Sequence, residues 1–277
     1  MRQYLDLLRH VMDHGEDQPS RSVLASTGER PSTRSVFGHQ CRHDLRDGFP
    51  IVTTKYVPFR QVAAELAWFL SGSTNVAPLH ESGVRIWDAW ATEGGDLGPI
   101  YGALWRNWQG RGGRVDQIAE LAAGIRAVAD DPHDSRARRL VLTSWDPSAM
   151  RQVKGPSGCH TLCQFYVSKG RLSCHLYQRS ADLFLGVPWN IACYALLTHL
   201  MASLSGLEPF EFIHSFGDAH IYANHLDQVA EQLTRDPLPL PTLKIDSRFG
   251  SIDRFDPSWV SLDSYASHPR LSGEVAI

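Results

Sequence analysis

The sequence predicts an α+β fold in one domain. Segments with helical spacing and segments with alternating apolar residues both occur, but they do not follow the strict strand–helix–strand order of a doubly wound sheet. The chain has 277 residues, and no Pro-, Ser- or Gly-rich linker or internal repeat divides it. We therefore expect a single domain over residues 1–277, with a sizeable core.

The first half of the chain is predicted to contain three helices and three strands. Helices are predicted where apolar residues recur on one helical face, as Tyr4, Leu7 and Val11 do. Strands are predicted where short runs end at turn residues such as the Asp47-Gly48 pair. In chain order, the elements are a helix at 4–12, a polar loop at 14–33, strands at 35–45 and 51–54, helices at 61–70 and 115–129, and a strand at 139–144.

The stretch at residues 157–190 predicts a β-hairpin, because two alternating apolar segments surround a Lys-Gly-Arg turn at 169–171. Cys159 opens the first segment, and Arg179 and Ser180 close the second. The start of one strand lies beside the end of its antiparallel neighbour, so the thiol and the guanidinium are expected to be close together. Beyond the hairpin, the predicted elements are helices at 191–204 and 223–233 and strands at 210–215 and 243–245.

The pairing of Cys159 with Arg179 indicates chemistry. A guanidinium beside a thiol lowers the pKa of the thiol and populates the thiolate, and an Arg-Ser pair suits a phosphate group. Such a site could hold a phosphorylated substrate with its electrophilic atom over a nucleophilic sulfur. The alternative from the residues alone is that Cys159 is a buried small apolar residue, as most free cysteines are.

Composition argues against several other classes of protein. The net charge is −3, so no general basic face indicates nucleic-acid binding. Five cysteines are an odd number, and without paired CxxC clusters they favour neither a disulfide framework nor a metal site. We find no signal peptide and no apolar run of transmembrane length, so a reducing cytoplasm and no membrane partner are expected.

The stretch at 157–190 resembles the thymidylate synthase family, and the resemblance extends over nearly the whole chain. The motifs CHTLCQFYV, GRLSCHLYQRS and DLFLGVPWNIACYALL carry it around the hairpin. Further motifs occur in order, namely FGHQ at 37–40, DGFPIVTTK at 47–55, ELAWFLSGSTN at 65–75, IWDAWA at 86–91, GDLGPIYGALWR at 95–106, GDAHIYANHLDQ at 217–228 and the terminal VAI.

The resemblance implies a large mixed sheet that is flanked by helices and packs on its twin in a homodimer. It also implies transfer of a one-carbon unit from 5,10-methylenetetrahydrofolate to C5 of a pyrimidine nucleoside monophosphate. The simplest case is conversion of dUMP to dTMP with release of dihydrofolate. The folate is a co-substrate, and neither a metal nor an obligatory nucleic acid is implied.

Four catalytic roles follow from the resemblance. Cys159 would add to C6 of the ring, which makes C5 nucleophilic, and His160 would organise water beside it. Glu65 lies on an otherwise apolar helix, where a carboxyl tends to have a raised pKa, and it would manage protons at O4 and N5 through water. Tyr101 would help to remove the C5 proton. Without the resemblance, a solvent-facing acid or salt bridge would be the simpler interpretation of Glu65.

The resemblance also places residues on the base and on the folate. Asn190 would pair with the N3–O4 edge of uracil, because an amide can donate to O4 and accept from N3–H; read alone, it would be a helix N-cap. This favours a uridylate over a cytidylate. Asp182 would hydrogen-bond the pterin and Trp87 would stack near the methylene. Lys55 would contact folate, and Ile277 would belong to a C-terminal lid that excludes water.

Phosphate and sugar contacts complete the implied site. His220 and Tyr222 share one face of an extended segment and would bind a sugar hydroxyl. Arg138 and Arg139 would reach the phosphate in the partner subunit's site. The contacts within the subunit are expected from Arg30, Arg179 and Ser180.

Two departures from the family pattern concern the phosphate loop and the residue before the nucleophile. Arg30 is the best match to the phosphate arginine of the loop, but the loop after it is shorter, lacks glycines and contains Pro31. Arg30 is therefore a weaker choice than Arg179. Gly158 replaces the usual Pro before Cys159.

Three alternatives to a dUMP methylase remain. In a hydroxymethylase of dUMP, UMP, dCMP or CMP, water would capture the exocyclic methylene before hydride does. Trp87 and the terminal VAI favour methylation, whereas the unusual loops leave hydroxymethylation open. A Cys-His hydrolase has poor geometry, because adjacent residues on a strand point to opposite sides. A nucleotide-binding regulator would not need the thiol together with Glu65 and Tyr101.

Overall fold

The computed structural model describes residues 1–153, 155 and 158–277, so Ser157, where the hairpin stretch begins, lies outside the described residues. The α-helices are α1 (Arg2–His14), α2 (Phe59–Ser71), α3 (Ala77–Glu81), α4 (Tyr101–Arg106), α5 (Gln117–Asp130), α6 (Gly186–Leu204) and α7 (Leu226–Leu233). The strands are β1 (Glu16–Gln18), β2 (Thr33–Asp44), β3 (Trp108–Gly110), β4 (Gly113–Val115), β5 (Val141–Thr143), β6 (His160–Ser168), β7 (Arg171–Asp182), β8 (Glu208–Tyr222), β9 (Thr242–Ile245) and β10 (Val260–Asp263).

Six of the strands form one mixed sheet in the order β1-β2-β8-β7-β6-β5. Neighbours in this sheet are antiparallel except β7 and β8, which are parallel. A parallel pair needs a crossover connection, and α6 supplies it while packing on both strands. Helices α1 and α5 contact the same sheet. The predicted α+β fold with a large mixed sheet flanked by helices is confirmed.

The predicted hairpin is present as β6 and β7. Ser168 pairs with Arg171, so the turn consists of Lys169 and Gly170. Both turn residues have positive φ, at 52° and 71°, as the tight turns that match the twist of a hairpin require. Glycine accepts this conformation without steric cost. The hairpin therefore brings the start of β6 beside the end of β7, as expected.

Helix α6 lies in the core and begins earlier than the sequence indicated. It starts at Gly186 rather than after Pro188, because a proline in the first turn lacks only an N–H that would have no helical partner. Asn190 is therefore a buried residue inside the helix, and its interpretation as an N-cap is wrong. Among the described residues, α6 alone has the length and hydropathy of a membrane span, but 78% of that window is buried inside the protein, as in a core helix.

The strand predicted at 51–54 is absent. This segment is buried, but its polar groups bond to distant loops instead of a neighbouring strand. The Val52 carbonyl accepts from the Tyr265 hydroxyl at 2.9 Å, and the Thr53 carbonyl accepts from the His268 amide at 2.8 Å. The short apolar run at 51–54 thus correctly predicted a buried segment, but it did not predict whether that segment pairs with another strand. Helices α3 and α4 and strands β1, β3, β4 and β10 were not predicted; each has six residues or fewer.

One face of the sheet carries exposed apolar side chains. Leu162 and Tyr166 on β6 and Tyr177 on β7 share this face; Tyr166 is 60% exposed, and the other two have more than a third of their surface accessible. Phe37 on β2 is 87% exposed. Alternate residues of β6 point to the other side and are buried, as Cys163 and Phe165 are. Large exposed apolar patches of this kind mark interaction surfaces.

Candidate active site

Cys159 and Arg179 meet at the open end of the hairpin. The Arg179 guanidinium Nη2 lies 3.8 Å from the Cys159 Sγ, and its Nε donates to the Gly158 carbonyl at 3.2 Å. The Arg179 amide also donates to the Cys159 carbonyl at 2.9 Å. Gly158 has a φ of 58°, which the ring of the family's usual proline excludes. The predicted proximity of thiol and guanidinium is confirmed.

Burial has a larger effect on the Cys159 thiol than its neighbouring charges. Burial raises the pKa of Cys159, whereas the Arg179 charge, a hydrogen bond with Tyr101 and the Arg21 charge lower it, with a net upward shift. The expectation that Arg179 populates the thiolate is therefore wrong. The guanidinium reduces the cost of forming the thiolate but does not make it the resting form.

Glu65 lies on α2 and is held between two indole rings. Trp87 Nε1 donates to Oε1 at 2.7 Å, and Trp189 Nε1 donates to Oε2 at 2.6 Å. Burial raises the pKa of Glu65 to about 7, although both indole hydrogen bonds act in the opposite direction. The predicted rise in pKa is confirmed, and a carboxyl that titrates near neutral pH can both give and take a proton. Trp189 was missed; its place in the PWN motif was the available signal.

Tyr101 and His160 form a buried aromatic pair beside the thiol. The Tyr101 hydroxyl accepts a hydrogen bond from the Cys159 amide at 3.0 Å, and its ring centre lies 4.9 Å from that of His160. Burial raises the pKa of Tyr101 well above its usual value and lowers the pKa of His160 to about 4. Both side chains are therefore neutral at physiological pH, and either would act on water rather than carry charge.

Asn190 belongs to a buried chain of polar groups. Its Oδ1 accepts from Gln178 Nε2 at 3.1 Å, and the same nitrogen donates to the Ser180 carbonyl at 3.0 Å. Gln178 Oε1 accepts from His214 Nε2 at 2.9 Å. Sequence reasoning missed Gln178 and His214. The available signal was that Gln178 continues the alternating run Leu172–Cys174–Leu176, which places its amide on the buried side of the strand, where it needs partners.

Asp182 and Lys55 surround the entry into α6. Asp182 Oδ1 accepts from the amides of Phe184 and Leu185 at 2.9 and 3.1 Å. The Lys55 amine donates to the Phe184 carbonyl and lies 3.6 Å from the centre of the Phe184 ring. Lys55 is 5% exposed, and burial lowers its pKa to about 7. Folate contacts by Asp182 and Lys55 remain predictions.

His220 and Tyr222 share one side of β8, as predicted, with ring centres 5.3 Å apart. Burial lowers the pKa of His220, but hydrogen bonding and charge from Asp218, together with the Asp182 charge, outweigh it, so the net shift is upward. The Tyr222 hydroxyl lies 3.4 Å from the Ser22 hydroxyl. This contact brings the loop that carries Arg21 to the edge of the site.

The C-terminal tail is docked on that same loop. Val23 and Ile277 exchange two backbone hydrogen bonds, at 2.7 and 2.9 Å. Ser26 donates to the Glu274 carboxylate through its amide at 2.8 Å and its hydroxyl at 2.5 Å, and His225 Nε2 donates to the Glu274 carbonyl at 2.8 Å. The tail is therefore held against this loop by both backbone and side-chain hydrogen bonds, and its role as a lid remains a prediction.

The arginines predicted to bind phosphate occupy different places. Arg30 is exposed on the loop before β2, whereas Arg21 is close enough to act on the Cys159 thiol. The Arg21-Ser22 dipeptide, which repeats the Arg179-Ser180 pattern, was the missed signal. The remaining predicted contacts are Ser180, half-buried near the end of β7, and Arg138 and Arg139, exposed just before the edge strand β5. The ligand contacts of all these residues remain predictions.

A thiol beside a guanidinium and a buried carboxyl with a pKa of about 7 are the kinds of group that one-carbon transfer to a pyrimidine ring requires. The protein is a folate-dependent one-carbon transferase of the class that methylates or hydroxymethylates C5 of a pyrimidine nucleotide. The thymidylate synthase family model matches residues 2–277, essentially the whole chain, and the chain belongs to this family. In the ranges 1–153 and 158–277, no group of three or more His, Cys, Asp or Glu side chains could hold a metal ion.

Proposed function

We propose that the protein converts dUMP to dTMP, with 5,10-methylenetetrahydrofolate as the one-carbon donor and dihydrofolate as the second product. The observation that carries this proposal is the Cys159 Sγ placed 3.8 Å from the Arg179 guanidinium. A bound phosphate would share this guanidinium, and the sulfur would then lie within reach of the base. Attack at C6 moves electron density to C5, which can then bond to the donor's methylene carbon.

The preference for a uridylate rests on Asn190. Its amide nitrogen can donate to O4, and the second lone pair of its carbonyl oxygen can accept from N3–H. The first lone pair is used by Gln178. A uridylate therefore satisfies Asn190 without any rearrangement of the buried chain.

Glu65 and Tyr101 supply proton transfers. With a pKa near 7, Glu65 can protonate O4 through water while the enolate forms, and can later receive the proton back. Tyr101 has a pKa well above its usual value, so it would orient a water that removes the C5 proton. Elimination from the folate leaves an exocyclic methylene, which hydride from the folate reduces to methyl as the sulfur departs from C6.

The docked C-terminal tail and Trp87 favour a methyl product over a hydroxymethyl product. Hydroxymethylation requires water to reach the exocyclic methylene, and a tail held by bonds to Val23, Ser26 and His225 would limit that access. The indole ring of Trp87, held by Glu65, can shield the same atom. The hydroxymethylase remains the alternative, because the loop that holds the tail is the part of the chain that departs from the family pattern.

The assembly proposed is a one-domain, cytoplasmic homodimer that pairs the apolar sheet faces. The exposed Leu162, Tyr166 and Tyr177 support this arrangement, because a patch of such side chains is seldom left in water. Arg138 and Arg139 flank the edge strand of that sheet and would reach the partner's phosphate. Sedimentation analysis should show a dimer, and Tyr166→Glu should give monomers; a monomeric wild-type protein would contradict the assembly.

The decisive experiment is incubation with dUMP, UMP, dCMP and CMP in turn, each with 5,10-methylenetetrahydrofolate, followed by mass spectrometry. We expect a methyl adduct on dUMP, together with the absorbance rise of dihydrofolate. A hydroxymethyl adduct without dihydrofolate would identify the alternative. Absence of any adduct on all four nucleotides would reject both reactions.

A further inference from the structure

Gln178 is a fully satisfied amide with one permitted orientation. It is 3% exposed on β7, and its side chain touches three different polar groups. The Ser180 carbonyl can only accept, so the nitrogen end of Gln178 must face it, at 3.0 Å. The oxygen end then faces His214 Nε2, at 2.9 Å. Rotation of this amide would place nitrogen against the ring and oxygen against a carbonyl.

His214 supports the same orientation. Burial lowers the pKa of His214 well below its usual value, and the nearby His43, His160 and His175 add to this effect. A neutral imidazole carries one N–H, and the bond to Gln178 Oε1 places it on Nε2. Nδ1 has no hydrogen-bond partner among the described residues. The other tautomer would leave a buried N–H without an acceptor, which is rarer in proteins than an unpaired acceptor.

The second hydrogen of Gln178 Nε2 determines how Asn190 is turned. Because that nitrogen donates to Asn190 Oδ1 at 3.1 Å, the Asn190 nitrogen is directed away from Gln178. A flipped Asn190 would place one amide nitrogen against the other, two donors facing each other. The orientation of the amide that reads the base is thus set by a residue that would not touch the base.

We propose that Gln178, fixed by the Ser180 carbonyl and by His214, is a positioning residue that makes the site select uridylates over cytidylates. The inference rests on the proposed base contact of Asn190. Uracil presents an acceptor at C4 and a donor at N3, and cytosine presents a donor at C4 and an acceptor at N3. A cytidylate therefore needs the reversed Asn190 amide, which Gln178 opposes.

Gln178→Glu tests the proposal while Asn190 is retained. A carboxyl has at most one hydrogen to donate, and the Ser180 carbonyl takes it, so Glu at this position would accept from a reversed Asn190. The readout is the ratio of dissociation constants for dCMP and dUMP, measured by titration calorimetry without folate. Since one hydrogen bond is lost for one base and gained for the other, we expect this ratio to fall at least about tenfold.

Two further variants distinguish a specific change in the ratio of dissociation constants from a general folding defect. Gln232→Glu changes another fully buried glutamine, whose Nε2 donates to Thr54, and should leave the ratio unchanged. Gln178→Met removes the donor without adding an acceptor, so the ratio should fall through weaker dUMP binding alone. Circular dichroism checks that each variant is folded.

The outcomes separate this inference from the proposed function. A folded Gln178→Glu or Gln178→Met protein with the wild-type ratio would overturn the positioning role while leaving dUMP binding intact. If Gln178→Glu does not fold, Gln178→Met decides alone. A wild-type protein that binds neither nucleotide would reject the proposed function itself, and this inference with it.

Discussion

Two parts of the site are held in place by different contacts. The strand-built part, residues 159–190, lies on β6, β7 and α6, where sheet pairing and buried hydrogen bonds fix Cys159, Gln178 and Asn190. The loop-built part, residues 21–29 and 273–277, is joined by a short backbone pairing and by exposed groups such as Glu274. Buried bonds are costly to break and exposed bonds are not, so changes in the two parts should differ in effect.

The largest effect is expected for Cys159→Ala, in the strand-built part. Turnover should be abolished because no other group can add to C6, while dUMP binding should stay within about tenfold because the phosphate and base contacts persist. Steady-state assays and calorimetry measure the two quantities. Cys41→Ala, at a buried thiol under α1, is the matched control and should keep activity. Normal turnover by the Cys159 variant would reject the mechanism.

Glu65→Gln should reduce turnover by about a hundredfold or more, through loss of proton transfer. In the wild-type protein, the Glu65 carboxyl also makes the free energy of unfolding depend on pH in a predictable way. The folded carboxyl holds its proton up to a pKa of about 7, whereas its ordinary value is 4.5. Between these values the folded state binds more protons, so this contribution to stability is lost as pH rises.

A comparison of wild type with Glu65→Gln isolates the contribution of Glu65 to the pH dependence of stability. The buried histidines also titrate, but they are common to both proteins and cancel in the difference. The free energy of unfolding of wild type, relative to the variant, should fall by about 3 kcal/mol between pH 4.5 and 7.5. Urea denaturation across this range measures it. A constant difference between the two proteins would show that Glu65 titrates normally.

Asn190→Asp should shift nucleotide preference towards cytidylates. A protonated or ionised carboxyl can accept from the cytosine amine, which the fixed wild-type amide cannot do. Competition between dUMP and dCMP in a single reaction gives the ratio directly. Asn75→Asp is the control; its carboxylate can still accept from the Ala77 amide but loses the bond to the Gly94 carbonyl, so its folding is checked by circular dichroism. An unchanged ratio in Asn190→Asp would argue against base recognition by this residue.

The smallest effect is expected in the loop-built part, for Glu274→Ala. Losing its bonds to Ser26 should raise KM for the folate about two- to tenfold and leave dUMP affinity unchanged. Glu231→Ala removes a comparable exposed carboxylate that pairs with Arg235 and should change neither quantity. If Glu274→Ala reduced activity as strongly as Glu65→Gln, the distinction between the two parts would fail.

Local patterns predicted the strand-built part well. The alternation around Lys169 and Gly170 identified the hairpin, and pairing geometry placed Cys159 beside Arg179. The loop-built part has fewer local patterns. The phosphate contact of Arg30 remains a prediction, and the effect of the Arg21 charge on the pKa of Cys159 was not predicted, because a loop with an altered length has no periodicity from which to judge which residue turns inward.

By itself, the sequence determined the α+β class, the hairpin, the thiol–guanidinium pair and the family, since these depend on local periodicity and on motifs read in order. Only the tertiary structure decided the net pKa of Cys159, the two indoles on Glu65 and the amide chain from His214 through Gln178 to Asn190. The physical reason is that desolvation and hydrogen-bond direction depend on atoms from distant segments, which meet only when the chain folds.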